Sequence, residues 1–212
     1  MKSVELYPRL REILSQPLPG EEAQFRMAPV GRRAAFLNPE KPPRLAAVLV
    51  PIYYDREGEP HILLTLRKVY DGVHSGQVSF PGGKFDQGET DPVMVALRET
   101  FEEVGVSPEL VKVAGKMSPL YIPPSNIIVH PVVGIIEGEP VWHPDPHEVE
   151  QLIHTPLLPW LSARQIAETA HRVAPGLSIS APYYDIQNHR VWGATAMMLS
   201  EFAEIMQRVG WV

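Results

Sequence analysis

Three carboxylates, Glu99, Glu102 and Glu103, lie close together in the stretch GGKFDQGETDPVMVALRETFEEVGV (82–106). On a helix of about 100° per residue, Glu102 falls about 60° to one side of Glu99 and Glu103 about 40° to the other. All three then share one face. Like charges at this spacing repel, so the helix gains nothing from them for its own stability. A divalent cation removes the repulsion. Hard cations such as Mg²⁺ or Mn²⁺ take oxygen ligands and usually hold substrate phosphates as well. The plainer reading of RETFEE alone is a solvated acidic face. The context favours a metal site for phosphate chemistry: FPGG (80–83) precedes the helix, Arg98 stands beside the acids, and Gly105 supplies a C-terminal stop.

The elements around this stretch must hold it in place. Asp91 can cap the acidic helix, Pro92 suits its first position, and the helix is expected over Asp91–Val104. Upstream, RLAAVLVPIYYD (44–55) and HILLTLRK (61–68) read as strands of a hairpin closed by EGEP. Residues 69–89 form a long loop with a short strand at Gln77–Phe80, and long loops in compact domains are usually functional. Downstream, 110–122 and 126–137 read as strands joined by the PPS turn. Residues 148–157 are a strand or short helix, and 157–170 are helical in part. A strand pair is expected over 181–193 around Gln187–His189, and an amphipathic helix over 194–210. At the N-terminus, 4–15 suggests a helix with Val4, Leu6, Leu10, Ile13 and Leu14 on one face. Residues 16–43 read as an extended arm in which Arg26, Arg32 and Arg33 are solvated. Strands and helices interleave without strict βαβ alternation, which predicts a mixed sheet between helices. The division is a single domain over 1–212: helix and arm (1–43), core (44–160), and closing strand and helix elements (161–212). Met197, Met198, Phe202 and Met206 are expected in the core rather than at a dimer contact, and Tyr121, Tyr183, Tyr184 and Trp192 in the core or at a pocket rim.

Composition narrows the partners. With 212 residues there is enough chain for a sizeable core, and the formal net charge of −6 argues against general nucleic-acid binding and against an anionic membrane surface. There is no cysteine, hence no disulfide and no thiolate nucleophile. Glu5, Arg9, Arg11 and Glu12 break up the apolar residues of the N-terminal helix, which is unlike a signal peptide, and no apolar run approaches membrane-spanning length. A cytoplasmic location is the expectation.

The carboxylate stretch resembles the Nudix box, which runs Gly, five residues, Glu, seven residues, Arg-Glu, an apolar residue, any residue, Glu-Glu, any residue, Gly, apolar. Gly83, Glu89, Arg98, Glu99, Glu102, Glu103, Gly105 and Val106 match. The gap between Glu89 and Arg98 is one residue longer than the pattern, and Thr100 fills the apolar slot. The resemblance implies an α/β/α sandwich with a mixed β-sheet and metal-dependent hydrolysis of a nucleoside diphosphate derivative. Such hydrolysis requires charge neutralisation on the phosphoryl oxygens, an in-line water, and a base for its proton. Carried over residue by residue, Glu99, Glu102 and Glu103 are the implied metal ligands, with the Gly83 carbonyl a possible addition. Arg98 is implied to pair with a loop acid, Glu89 or Asp86, and Gly82 and Gly83 to allow sharp turns beside the substrate. In several branches of the family the base lies beyond the box, which makes Glu148 and Glu150 candidates. His74 reads as structuring its loop.

LLTLRKVYDGVHSGQVSFPGG (63–83) further resembles the signature of coenzyme A pyrophosphatases through Leu63, Leu64, Thr65, Arg67, Gly76, Phe80, Pro81, Gly82 and Gly83. The longer Glu89–Arg98 gap also fits that subfamily. Lys68 stands where a small residue is usual and Gly72 where an Arg is usual; Arg67 or Lys68 can meet phosphate in its place. The implied reaction cleaves coenzyme A or its thioesters to 3′,5′-ADP and 4′-phosphopantetheine or its acyl form. ADP-ribose, a dinucleotide or a dinucleoside polyphosphate is the alternative substrate, and a non-catalytic nucleotide-binding regulator is the alternative of another class. Either way the partner is a small molecule rather than nucleic acid or membrane, and the chain is a monomer or homodimer.

Overall fold

The computed structural model describes residues 3–30, 32, 42–68, 76–174 and 177–211. The expectations for Arg33, Gly72 and His74 lie outside the described residues. In chain order the elements are α1 (Ser3–Leu14), α2 (Gly20–Phe25), β1 (Arg44–Tyr54), β2 (Pro60–Arg67), β3 (Val78–Ser79), β4 (Gly82–Lys84), α3 (Pro92–Val104), β5 (Val111–Lys116), β6 (Leu120–Ile122), β7 (Ile127–Ile136), β8 (Val149–Pro156), α4 (Leu157–Ala163), β9 (Ile166–Ala174), β10 (Leu177–Ile186), β11 (His189–Trp192) and α5 (Gly193–Val209).

β1 is the organising strand. Its near-continuous apolar run is what a strand covered on both faces requires. It pairs in parallel with β7 from Arg44↔Ile127 to Ile52↔Ile135. Its other edge is shared by two antiparallel partners, β2 at the C-terminal end (Ile52↔Ile62) and β4 at the N-terminal end (Ala47↔Gly83). The single parallel pairing makes the sheet mixed, and β8, β3, β5 and β6 extend it by antiparallel pairing. Side chains of β1 alternate between two cores. Val50 and Ile52 join the cluster built with α1, α2 and α5, whereas Ala47, Leu49 and Tyr53 join the cluster under α3. The helices therefore lie on both faces of the sheet.

Several sequence expectations need correction. Residues 110–122 are not one strand but β5 and β6, with a register shift between Val113 and Gly115. Pro119 stands between them and has no N–H to give to a ladder. The partial helix expected within 157–170 is α4, which stops at Ala163; beyond it β9, not foreseen as a strand, pairs with β10 from Ile166↔Tyr184 to Ala174↔Leu177. Ladder pairing along β10 outweighs the modest helix preference of QIAETA. The resulting three-stranded sheet closes through a hairpin at Gln187 and Asn188, both with positive φ (52° and 66°), as a two-residue turn of the primed type demands. Arg32 is half-buried rather than fully solvated: its guanidinium donates to the Tyr121 carbonyl at 2.5 Å, and partial burial pulls its pKa down to about 10. Arg26 pairs with Glu204. Met197, Met198, Phe202 and Met206 are core residues of α5, and Tyr184 is buried edge-on against Trp160.

The arm is anchored by a fully buried carboxylate. Glu201 Oε1 accepts from the N–H groups of Gly20 and Ser118, both at 3.2 Å, and its Oε2 accepts from Gln24 Nε2 at 2.8 Å. Gln24 Nε2 also donates to the Ser118 carbonyl at 3.1 Å, so flipping its amide would set oxygen against oxygen. Glu201→Gln therefore forces one donor–donor or acceptor–acceptor contact in the interior and is expected to cost about 1.5 kcal/mol in urea unfolding. An unchanged midpoint would show that the network contributes nothing. Among the described residues, no helix is long and apolar enough to cross a membrane.

Candidate active site

Local signals fix α3 in place. Asp91 Oδ1 accepts from the Val93 N–H at 2.9 Å, Pro92 occupies the first turn, and Gly105 ends the helix in the left-handed region at φ 78°. Val95, Ala96, Leu97 and Val104 are buried against the cluster that includes Ala47, Leu49 and Val132. Thr100, in the apolar slot of the box, is buried with its hydroxyl donating to the Ala96 carbonyl at 2.7 Å. With that face committed, Glu99 and Glu103 are directed toward β4. Glu103 is 3% exposed, whereas the side chain of Glu102 is 54% exposed.

Two glycines bring β4 under the carboxylates. Gly82 has φ 153°, and a Cβ there would lie 2.6 Å from Val48 Cα and against the Ala47 carbonyl. Its N–H donates to Glu103 Oε2 at 3.1 Å. A Cβ on Gly83 would overlap the Glu99 carboxylate. Only residues without side chains permit this approach.

Two guanidinium groups balance the acids. Arg98 meets both oxygens of Glu89, through Nε at 2.9 Å and Nη2 at 3.0 Å. It also reaches Glu99 at 2.9 Å, Glu102 at 3.0 Å and the Lys84 carbonyl at 3.2 Å. Asp86 lies at 3.8 Å, and its N–H holds Glu89 Oε2 at 2.7 Å. Of the two acids left open by the sequence, Glu89 is thus the principal partner, despite the extra residue in the gap. Arg67, at the end of β2, reaches Glu103 Oε1 at 3.2 Å and Glu148 at 3.5 Å. The Lys68 N–H donates to the Glu148 carbonyl at 3.0 Å, which secures the start of β8 beside β2. Glu150 makes no ion pair among the described residues.

The electrostatics follow from burial. Glu103 is pushed up to about 7, first by desolvation and further by Glu148 and Glu99, with Arg67 and the Gly82 N–H opposing. Glu99 is also raised, again chiefly by burial, with Glu102 and Glu148 adding and Arg98 opposing. Hydrogen bonding to Arg98 lowers Glu89. Among the described residues, no three His, Cys, Asp or Glu side chains converge as a metal cage, because the helix carboxylates are turned onto Arg98 and Arg67. The donor chemistry nevertheless fits a hard divalent cation: the set is all oxygen, and Glu99, Glu103 and Glu148 repel one another in a partly dry setting.

A carboxylate-bearing helix laid over a glycine strand of a mixed sheet, with arginines between the acids, defines a class of phosphate-handling fold. The NUDIX domain model matches residues 43–178. The chain belongs to the Nudix hydrolase family and has its fold, a mixed sheet with a few helices. It is 36% identical over 162 residues to an uncharacterized Nudix hydrolase, NudL, of Yersinia pestis, covering 76% of this chain and 79% of that one. It is 32% identical over 169 residues to the mitochondrial Nudix hydrolase 15 of Arabidopsis thaliana, covering 77% of this chain and 59% of that longer protein. A MutT/nudix family protein from Enterococcus faecalis superposes with a TM-score of 0.50 at 17% identity, over 88% of this chain and 74% of its own, a likeness of fold alone.

Proposed function

We propose that this chain hydrolyses the diphosphate bond of coenzyme A or its thioesters, giving 3′,5′-ADP and 4′-phosphopantetheine or its acyl derivative. The observation that carries the reading is the buried Glu103, held between the Gly82 N–H and Arg67, because it joins the carboxylate helix to the arginine of the coenzyme A signature. Glu99, Glu102 and Glu103, with the Gly83 carbonyl, are the groups that would hold Mg²⁺ or Mn²⁺. When bound, the cation supplies charge neutralisation on the phosphoryl oxygens and a more acidic water.

The remaining roles fall to other side chains. Arg98 fixes the Lys84–Glu89 loop through its two-point grip on Glu89. Glu148 takes a proton from the attacking water. The water oxygen bonds to phosphorus, the bridging P–O bond breaks, and the leaving phosphate carries away the electron pair. Arg67 and Lys68 contact substrate phosphate. Charge requires Arg67 to divide itself between Glu103, Glu148 and the substrate, and a bidentate guanidinium does so better than an ammonium.

The departures at Lys68 and Gly72 favour a second reading, a Nudix pyrophosphatase acting on ADP-ribose, a dinucleotide or a dinucleoside polyphosphate. A non-catalytic regulator would have no use for three acids kept in mutual repulsion. The proposal places the enzyme in the cytoplasm as a monomer or homodimer with small-molecule substrates only. Product analysis with Mg²⁺ or Mn²⁺ over coenzyme A, acetyl-coenzyme A, dephospho-coenzyme A, ADP-ribose and NADH tests it. Preferred release of 3′,5′-ADP from coenzyme A is expected. Preferred turnover of ADP-ribose or NADH would transfer the mechanism to the second reading, and no turnover of any compound would favour the regulator.

A further inference from the structure

The segment between β7 and β8 closes a circuit through the site. Its sequence around Asp145 is His143-Pro144-Asp145-Pro146-His147-Glu148. Neither proline has an N–H, and each restricts the residue before it to extended backbone. Asp145 is thus the sole donor between two stiff residues, and its N–H goes to the carbonyl of Glu103 at 2.9 Å. The His143 N–H takes the next carbonyl, that of Val104, also at 2.9 Å. Both acceptors belong to the last turn of α3, whose carbonyls have no partners within the helix. Gly105 permits the docking, since a Cβ there would lie 2.6 Å from His143 Cβ.

From the same residue the chain turns toward Glu148. Asp145 Oδ1 accepts from the His147 N–H at 2.8 Å, and its carbonyl accepts from Glu148 at 3.2 Å and Val149 at 2.9 Å. Glu148 then reaches Arg67 at 3.5 Å, and Arg67 returns to the Glu103 side chain at 3.2 Å. The path Glu103, Asp145, Glu148, Arg67, Glu103 is closed.

We infer that Asp145 is a positioning residue: its side chain holds the turn that sets Glu148 at a fixed place relative to Glu103. The inference rests on the reading of Glu148 as the group that accepts the water's proton. Asp145 touches no reacting atom in this scheme. Its side-chain oxygen shapes the turn, so an amide oxygen serves as well as a carboxylate.

The test is steady-state kinetics on the full chain with Mg²⁺, using coenzyme A and ADP-ribose in parallel, with thermal unfolding alongside. Asp145→Ala is expected to lower kcat about tenfold while KM stays within about twofold, because misplacement by a fraction of an ångström acts on the reacting geometry rather than on binding. Asp145→Asn, which keeps the acceptor, restores kcat to within about twofold of the parent. Adding Asp145→Ala to Glu148→Gln causes no further loss, since the two act through one group. Parent-like kcat in Glu148→Gln removes the proton-acceptor reading and the inference with it. A slow Glu148→Gln beside a parent-like Asp145→Ala overturns the inference alone. So does an Asp145→Asn as slow as Asp145→Ala, or a double variant slower than Glu148→Gln.

Discussion

Glu103→Gln should lower kcat/KM by about a thousandfold, the loss typical when a principal stabiliser of phosphoryl or acyl transfer is removed. The size follows from where the residue sits. Both of its oxygens are directed, one by the Gly82 N–H and one by Arg67, and it is nearly closed to water. The amide keeps the shape and can still accept from Gly82. Its NH₂ must then face the Arg67 guanidinium, a donor against a donor, and the charge that would bind a cation is gone. Glu102→Gln is expected to cost only about tenfold, because its side chain lies in water and is one of several partners of Arg98. Mn²⁺ titration by calorimetry on both variants separates binding from chemistry. A Glu103→Gln enzyme with more than a tenth of parent activity, or with parent Mn²⁺ affinity, would sink the assignment of Glu103 as a metal ligand.

What the sequence made legible was local. Asp91, Pro92 and Gly105 are signals within one turn of the positions they define, so the limits of α3 could be read directly. The shared face of Glu99, Glu102 and Glu103 follows from helical geometry alone. Features that depend on distant partners were harder to see. β4 reads as loop in the sequence, since Gly82 and Gly83 have little strand preference and its ladder is made by β1, far upstream. Partial helicity over 157–170 is legible and α4 realises it, but the start of β9 at Ile166 is not, because only β10 supplies the edge that makes it a strand. Arg67 could be read as a phosphate contact, but its bond to Glu103 spans 36 residues and needs the β2 end and α3 in register. Asp145 gave no signal as a site residue, because its N–H bond to α3 is made by main chain. The two prolines around it were the available hint. By its charge Arg32 reads as solvated, yet it is half-buried with its guanidinium donating to the Tyr121 carbonyl, 89 residues away in sequence.

Without divalent cation, the fold should lose stability as pH rises from 5 to 8, and Glu103 sets the sign. Burial raises this carboxyl from 4.5 to about 7 in the folded chain. Between those values the native state binds a proton that the unfolded state has released, so stability is greatest below the lower value and declines as pH rises through the upper one. The full span corresponds to about 3 kcal/mol. Glu99, also raised by burial, acts in the same direction. Glu89, lowered by Arg98, has the opposite sign, but its window lies below 4.5 and outside this range. Urea unfolding in EDTA across this pH range should therefore show a falling midpoint in the parent and a markedly flatter one in Glu103→Gln. At pH 8, Mg²⁺ or Mn²⁺ should recover the loss in the parent, because a cation bound to the folded state alone stabilises it by mass action and takes the place of the proton. The variant should respond weakly. Equal slopes in the two proteins would mean that the buried charge is compensated within the apo fold, by Arg67 and the Gly82 N–H, and that metal binding need not relieve it.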